Sequence, residues 1–203
     1  MVKKESAKDR ILQVAEDLFY REGIRAVGID RIIAESGVAK ASFYRSFATK
    51  DDLIAEYVEQ KHVRSMGRIE EAKSRHPGDP IAQLIYLFRE TAERMRQPNF
   101  RGCPYINTLV EFPDPTHPAH LRVIESRREV WGLVREIARE AGARDPAALA
   151  EQLQMLYSGA MVIAYMKKSA FNCEHFYNAA LTLIANEVPN FELPESRAGN
   201  AGE

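Results

Sequence analysis

The sequence predicts an all-α protein with about nine helices. Apolar residues recur at spacings of three and four along most of the 203 residues, as they do on the inner face of a helix. The stretches with this spacing begin after Ser, Thr or Asp and end at Gly or Pro, the residue types that start and stop helices. No stretch is a convincing strand, so the helical pattern accounts for the whole predicted fold.

The first helix is predicted to begin after Ser6, because Ser6 and Asp9 form a variant of the capping box. Five apolar residues then follow at helical spacing and end at Gly23: Ile11, Leu12, Ala15, Leu18 and Phe19. We interpret this helix as the support of an N-terminal head.

Residues 28–47 predict two short helices that meet at Gly37, which tolerates the left-handed backbone at the end of a helix. Val38 is predicted to be the buried residue of the turn. Phe43 and Phe47 lie four residues apart and mark the inner face of the second helix. The outer side then carries donors, a cation and small groups that could enter a major groove: Lys40, Ala41, Ser42, Tyr44 and Arg45. This pattern is typical of a helix-turn-helix, so DNA is the first partner to consider.

A long helix is predicted from Lys50 to about Arg75. Thr49 is the expected N-cap, and Asp51 and Asp52 suit the positive end of the helix dipole. The first backbone amides of this helix and the Lys50 ammonium could together hold a DNA phosphate.

These residues resemble the N-terminal domain of the TetR family of transcriptional regulators. The resemblance rests on Ser36-Gly37-Val38, on Tyr44 and Phe47, and on Lys50 with Leu53 three residues later. It covers roughly the first 60 residues at motif level and is specific there, because five positions match in register. It implies double-stranded operator DNA as a partner.

In such a head, the base edges would be contacted by Lys40, Ala41, Ser42 and Arg45, and the phosphates by Tyr44, Ser46 and Lys50. Three positions depart from the family pattern: Gly28 replaces a capping Thr, Ala39 replaces a Ser, and Ser46 replaces a His or Tyr that touches phosphate. The alternative is a three-helix packing unit that binds no nucleic acid.

Further helices are predicted from Pro80 to the break that begins at Gln97, and over residues 103–111, 118–141, 146–168 and 174–188. Asp79-Pro80 and Asp145-Pro146 each combine a capping Asp with a proline in the first turn. The predicted domains are a helix-turn-helix head over residues 1–50, a helical ligand-binding and dimerisation domain over 51–188, and a disordered tail over 189–203.

The last two helices, residues 146–188, are predicted to form a two-fold dimer interface, which the family resemblance also implies. Met155 to Met166 is apolar or small on every face, so one side needs a partner beyond its own core. Close approach would be allowed by Ser158, Gly159, Ala160 and Ala164. The last helix would add Phe176, Ala180, Leu183 and Ile184. The alternative is a helix buried wholly within one chain.

Candidate residues for a small hydrophobic or aromatic effector lie on helices that would surround a cavity: Met66, Phe88, Met95, Tyr105, Asn107, Phe112, Trp131 and Tyr165. Ordinary core packing is the alternative for each of them. Cys103 begins a short helix after Arg101-Gly102, where a helix N-terminus and a cation could make its thiol reactive toward electrophiles. An inert packed cysteine is the competing interpretation, and Cys173 lacks a comparable setting.

The chain carries 28 basic and 29 acidic residues, so bulk attraction to nucleic acid is weak. Residues 1–50 carry ten basic against seven acidic residues, a balance of 10 − 7 = +3. The charged start has no secretory segment, and no apolar run is long enough for a membrane span, so we expect a cytoplasmic protein. The two cysteines, with no secretion signal, suggest reduced thiols.

Glu111, Asp114, His117 and His120 could together bind a metal, but three prolines interrupt the stretch. A surface loop in which His117 or Thr116 caps the next helix is therefore preferred, and no cofactor or metal is predicted. No phosphate-binding loop, nucleophile elbow or dinucleotide motif indicates an enzyme.

The sequence thus predicts a dimeric, ligand-responsive DNA-binding regulator, with the repressor role taken from the family resemblance. The effector would be a small hydrophobic or electrophilic molecule. The alternatives are a ligand-binding or thiol-sensing helical dimer without sequence-specific DNA binding, and a cysteine-dependent enzyme.

Overall fold

The computed structural model describes residues 5–189 and 191, and within them the fold is all-α. The nine helices of this part of the chain are α1 (Ala7–Glu22), α2 (Ile29–Ser36), α3 (Lys40–Ser46), α4 (Lys50–Arg75), α5 (Pro80–Met95), α6 (Pro104–Glu111), α7 (Pro118–Glu140), α8 (Pro146–Lys167) and α9 (Cys173–Glu187). One 3-10 turn that the sequence did not predict, Lys168–Ala170, follows α8. The predicted fold class is confirmed. The predicted disordered tail lies, apart from residues 189 and 191, outside the described residues.

The helices begin where local capping chemistry predicts. Ser6 and Asp9 form a complete capping box, in which the Asp9 N–H donates to the Ser6 hydroxyl and the Asp9 carboxylate accepts from the Ser6 N–H, both at 3.1 Å. Thr49 and Asp52 repeat this arrangement at the start of α4. The Asp79 and Asp145 carboxylates accept N–H groups of the first turns of α5 and α8. Each cap satisfies backbone donors that the helix itself leaves without a partner.

The chain forms two compact units. The first comprises Met1–Gly67 and Pro98–Val130, and the second comprises Arg68–Gln97 and Trp131–Glu203. Among the described residues, the core of the first unit consists of fully buried apolar side chains from the head and from α4: Ile11, Leu18, Ile24, Ile32, Phe43, Leu53 and Ile54. The second unit has its own core, which includes Leu84, Ile137, Leu149, Leu153 and Ile184. The predicted domain boundary after residue 50 falls inside the first unit.

In the second unit, α8 packs one face on α5 and α9 and leaves the other face exposed. Several residues expected at a dimer interface are instead buried within the chain: Ala160, Ala164, Phe176, Ala180 and Ile184. The outer face of α8 carries other apolar side chains, and Met155 and Met166 are 65% and 74% exposed. An apolar groove of about 290 Å³ lies next to Met155. It is lined by Met155, Leu156, Gly159, Ala160, Ile163, Phe171, His175 and Phe176.

The predicted surface loop after α6 is confirmed at its cap, because the Ala119 N–H donates to His117 Nδ1 at 3.1 Å. Asp114 accepts from the Thr116 N–H and hydroxyl. Among residues 5–189 and 191, no group of three or more His, Cys, Asp or Glu side chains could hold a metal ion. Within the same residues, no helix is both long enough and apolar enough to cross a membrane.

Glu16 ties α1 to α4 through two cations. Its carboxylate accepts from Lys61 and, with one contact at 2.6 Å, from Arg64. Burial alone would raise the pKa of Glu16, but the hydrogen bonds from Lys61 and Arg64 outweigh it and lower the pKa. The charged carboxylate therefore stabilises the fold at neutral pH.

Glu16→Gln should lower the free energy of unfolding at pH 7 by about 1–2 kcal/mol, or roughly 2–8 °C in melting temperature. A carboxyl whose pKa is lower in the folded than in the unfolded chain stabilises above pH about 4.3 and loses this contribution as the pH falls further. Thermal unfolding of both proteins from pH 7 to pH 3 should therefore show the difference closing in acid. The control is Asp17→Asn, which removes an exposed carboxylate paired within the helix to Arg21. An equal loss in the control would contradict this role.

Candidate nucleic-acid interface

The turn between α2 and α3 has the geometry of a helix-turn-helix. Gly37 ends α2 in the left-handed conformation, with φ at 61°, and its N–H donates to the Ala34 carbonyl. A side chain at Gly37 would meet nothing within 4 Å, so the backbone conformation and not crowding favours glycine here. Val38 is buried directly after it. Both expectations for this turn are confirmed.

Burial of two aromatic side chains fixes the orientation of α3. Phe43 is fully buried and Phe47 nearly so, with their ring centroids 6.2 Å apart. The α3 helix contacts α1, so this inner face packs within the head. Because Phe43 and Phe47 point inward, the residues between them are turned outward.

The outward face of α3 is polar and exposed. Lys40, Ala41, Tyr44 and Arg45 are exposed, and Ser42 and Ser46 are half-buried. The Arg45 guanidinium donates to the Ser42 hydroxyl at 2.7 Å. The Ser46 hydroxyl donates to the Ser42 carbonyl at 3.0 Å. The face therefore presents one oriented guanidinium beside small and aromatic groups.

Two basic residues near this face are already engaged. The Lys50 ammonium donates to the Ile24 carbonyl at 2.6 Å, and burial lowers its pKa while the carboxylates of Glu111 and Asp51 act in the opposite direction. Arg31 pairs with Glu22 and Glu35. The Lys50 ammonium and the Arg31 guanidinium are thus both bonded within the chain.

Five of the effector candidates lie in the first unit. Cys103 is 2% exposed and precedes α6 as its N-cap. The Tyr105 hydroxyl lies 3.3 Å from the Ser65 hydroxyl, and the Asn107 amide donates to the Arg101 carbonyl at 3.0 Å. The Phe112 ring stacks on His117 and lies 5.4 Å from the Arg25 guanidinium. Met66 is half-buried.

The other four candidates lie in the second unit. Phe88 packs on Phe176 with ring centroids 5.9 Å apart, and Met95 is buried. Trp131 contacts Tyr157 edge to face at 5.7 Å, and the Lys168 ammonium lies 4.7 Å from the Tyr165 ring centroid. The surroundings of Phe88 and Met95 are those of ordinary core.

Sequence reasoning missed two buried polar side chains of the first unit. His62 on α4 has Nε2 at 3.1 Å from a Glu129 carboxylate oxygen, whereas its Nδ1 has no hydrogen-bond partner within the described residues. Ser126 on α7 is fully buried, and its hydroxyl likewise has no partner there. Both residues interrupt the apolar inner stripe of a helix, and this interruption is the sequence signal that could have identified them.

The α2–α3 turn and the exposed polar face of α3 are the features that define helix-turn-helix DNA-binding proteins, and this all-helical chain belongs to that class. Residues 11–57 match the family described as bacterial regulatory proteins, tetR family, and residues 80–180 match the tetracyclin repressor-like C-terminal domain. The chain therefore belongs to the TetR family of transcriptional regulators. The family confirms that the chain is a DNA-binding regulator and not an enzyme.

Two solved structures and one sequence relative agree with this assignment. A TetR-family transcriptional regulator from Streptomyces coelicolor is 34% identical with a TM-score of 0.85, and the match covers 90% of this chain and 96% of that one. A regulator from Streptomyces avermitilis is 28% identical with a TM-score of 0.70, covering 86% and 98%. The transcriptional regulator AcuR of Cereibacter sphaeroides is 28% identical over 170 residues, 79% of this chain and 77% of its own length.

Proposed function

We propose that this protein is a dimeric repressor that binds operator DNA through α3 and is released by a small effector. The observation that carries the proposal is the exposed polar face of α3, held outward by the buried Phe43. The proposal locates the protein in the cytoplasm with the DNA that it binds.

Within this proposal, Lys40, Ala41, Ser42 and Arg45 read base edges and Tyr44 and Ser46 contact phosphates. The hydrogen bond from Arg45 to the Ser42 hydroxyl supports a reading role, because it orients the guanidinium before DNA arrives. A guanidinium in a major groove pairs bidentately with guanine. At the start of α4 we assign the phosphate contact to the backbone N–H groups. In this assignment Lys50 stabilises the fold through its hydrogen bond to the Ile24 carbonyl.

The proposed dimer forms through the outer face of α8. Exposed apolar side chains on this face flank the apolar groove beside Met155, and a second copy of the chain would cover both. Two recognition helices must reach major grooves about 34–36 Å apart, so a dimer supplies the spacing that operator binding needs.

The proposed effector is a small apolar molecule that carries at least one hydrogen-bonding group and binds without a covalent bond. The buried polar atoms of His62 and Ser126 in the first unit support this chemistry, because a buried polar atom without a partner is costly until a ligand or water satisfies it. An effector that binds better to a conformation in which the two heads do not match the spacing of the major grooves would lower operator affinity.

Arg45→Ala should weaken binding to operator DNA from the protein's own promoter region by about 1–3 kcal/mol, with the largest loss of preference at one base pair. Fluorescence anisotropy with that DNA and with random DNA of equal length measures the effect. Arg139→Ala is the matched control, because it removes an exposed guanidinium of the second unit that pairs with Glu136 of its own helix. Equal losses on both DNAs would instead assign Arg45 to a phosphate.

Met155→Glu should convert the dimer to monomers, because each carboxylate buried without a partner costs about 3–5 kcal/mol. Operator binding should be lost with the dimer. Sedimentation velocity measures the mass, and melting temperature shows whether the monomer is folded. Leu121→Glu places the same charge on an exposed apolar position of the first unit. Dissociation by Leu121→Glu but not by Met155→Glu would place the interface elsewhere.

N-ethylmaleimide should leave operator binding unchanged in the native protein. Both thiols are buried, at 2% exposure for Cys103 and 5% for Cys173, and burial raises the pKa of Cys173. Intact-mass measurement should find two adducts in urea and none after brief native treatment. Rapid native labelling that abolishes operator binding in the wild type but not in Cys103→Ala would identify an electrophile sensor.

A further inference from the structure

The C-terminal end of α6 holds the turn that connects α1 to α2. The Glu111 carboxylate accepts the Ile24 N–H at 2.9 Å and the Arg25 N–H at 2.6 Å. These partners lie 87 and 86 residues apart in the chain, within the first unit. One side chain of α6 thus satisfies two successive backbone donors of the head.

The same turn is held from a second side. The Lys50 ammonium at the start of α4 donates to the Ile24 carbonyl, so Ile24 is bound through both its N–H and its carbonyl. The Arg25 guanidinium lies over the ring of Phe112, the residue that follows Glu111. Three hydrogen bonds and one cation–π contact therefore join the turn to Lys50, Glu111 and Phe112.

Gly23 lies beside the Glu111 carboxylate at the start of this turn. Its φ of +97° lies in the region that favours glycine, and a side chain carbon there would lie 3.4 Å from both Glu111 carboxylate oxygens. The backbone conformation therefore favours glycine at this position, because a larger residue would be strained there.

The N-terminal end of α6 is also tied to the head. The Tyr20 hydroxyl of α1 donates to the Gly102 carbonyl at 3.1 Å and accepts the Arg101 N–H at 2.8 Å. The segment before α6 and the last residue of α6 are thus both bonded to α1 or to the turn that follows it.

We propose that Glu111 is a positioning residue for operator binding, which fixes the α1–α2 turn and with it α2 and α3 in the orientation that binds DNA. This inference rests on the proposed function and adds a residue outside the helix-turn-helix that positions it. A carboxylate suits the role because it accepts at both oxygens, and hydrogen bonds to a charged acceptor are about twice as strong as neutral ones.

The neighbouring acidic and histidine side chains do not share this role. Asp114 accepts from Thr116 in its own loop, His117 caps α7, and His120 Nδ1 lies 2.9 Å from the Phe112 carbonyl. Glu111 is the member of this stretch that the described structure bonds to the head.

Glu111→Gln should weaken operator binding about 10-fold, within the 5- to 150-fold range of typical coupling, because its amide nitrogen would face a backbone donor. The Ile24 and Arg25 amides should exchange hydrogen faster in this variant. Asp114→Asn removes an equal charge three residues away and should leave both measurements unchanged. Glu111→Asp keeps the charge on a shorter side chain and should fall between Glu111→Gln and wild type.

Faster exchange at Ile24 and Arg25 with unchanged operator affinity would show a merely structural bond and overturn the inference. Tighter operator binding by Glu111→Gln would overturn it as well. Failure of the wild type to select its promoter DNA over random DNA would instead reject the proposed function. Melting curves establish that each variant is folded.

A double-mutant cycle tests whether Glu111 carries the state of α6. Val110 is 75% exposed, so Val110→Gly loosens α6 with little loss of packing, and Val110→Ala is its helix-favouring control. Val110→Gly should weaken operator binding about 3-fold relative to Val110→Ala in the wild type and not in Glu111→Gln. Equal effects in both backgrounds would overturn the inference.

Discussion

The interface of this protein depends on the burial of Phe43. The α3 helix has seven residues, too few for a helix to persist in water without tertiary packing. Its stability and its orientation therefore come from one inner face that packs on α1. Because Phe43 and Phe47 are inside, Tyr44 and Arg45 are outside, and the candidate surface for DNA follows from the positions of two aromatic rings.

The contacts of the α1–α2 turn extend this constraint beyond the head. Exposed ion pairs such as Lys40 with Asp30 contribute little, since water and salt screen them. The bonds from Ile24 and Arg25 to Glu111 are different, because they satisfy backbone donors that a turn cannot pair internally, and the bond from Ile24 is partly buried. The head therefore lies in one compact unit with α6.

Local chemistry explains why so much of the fold could be predicted from sequence. The caps at Ser6, Thr49, Asp79 and Asp145 act over two or three residues, and the backbone at Gly37 depends on that residue alone. Contacts between distant residues were not predictable in this way. The sequence gives no sign that Lys50 turns toward Ile24, that Glu111 reaches the head, or that His62 meets Glu129.

The α8 helix shows the same limit in a different form. When a helix is apolar on every face, the sequence indicates that one face packs within the chain and that another needs a partner. It does not indicate which face is which. The structure assigns Ala160 and Ala164 to the inner face and leaves Met155 and Met166 outside. The partner for this helix stays a prediction, and burial within the chain accounts for Ala160 and Ala164.

The charge balance explains why positioning matters so much for a protein of this kind. The chain has a net charge of −1, so bulk attraction adds little to DNA binding. In the proposed dimer, affinity comes from a few contacts made simultaneously by two heads, and each depends on orientation. A coupling of about 1–3 kcal/mol, which is comparable to one good base contact, is enough to change operator affinity roughly 5- to 150-fold. The loss of one carboxylate that positions the α1–α2 turn is expected to fall on this energetic scale.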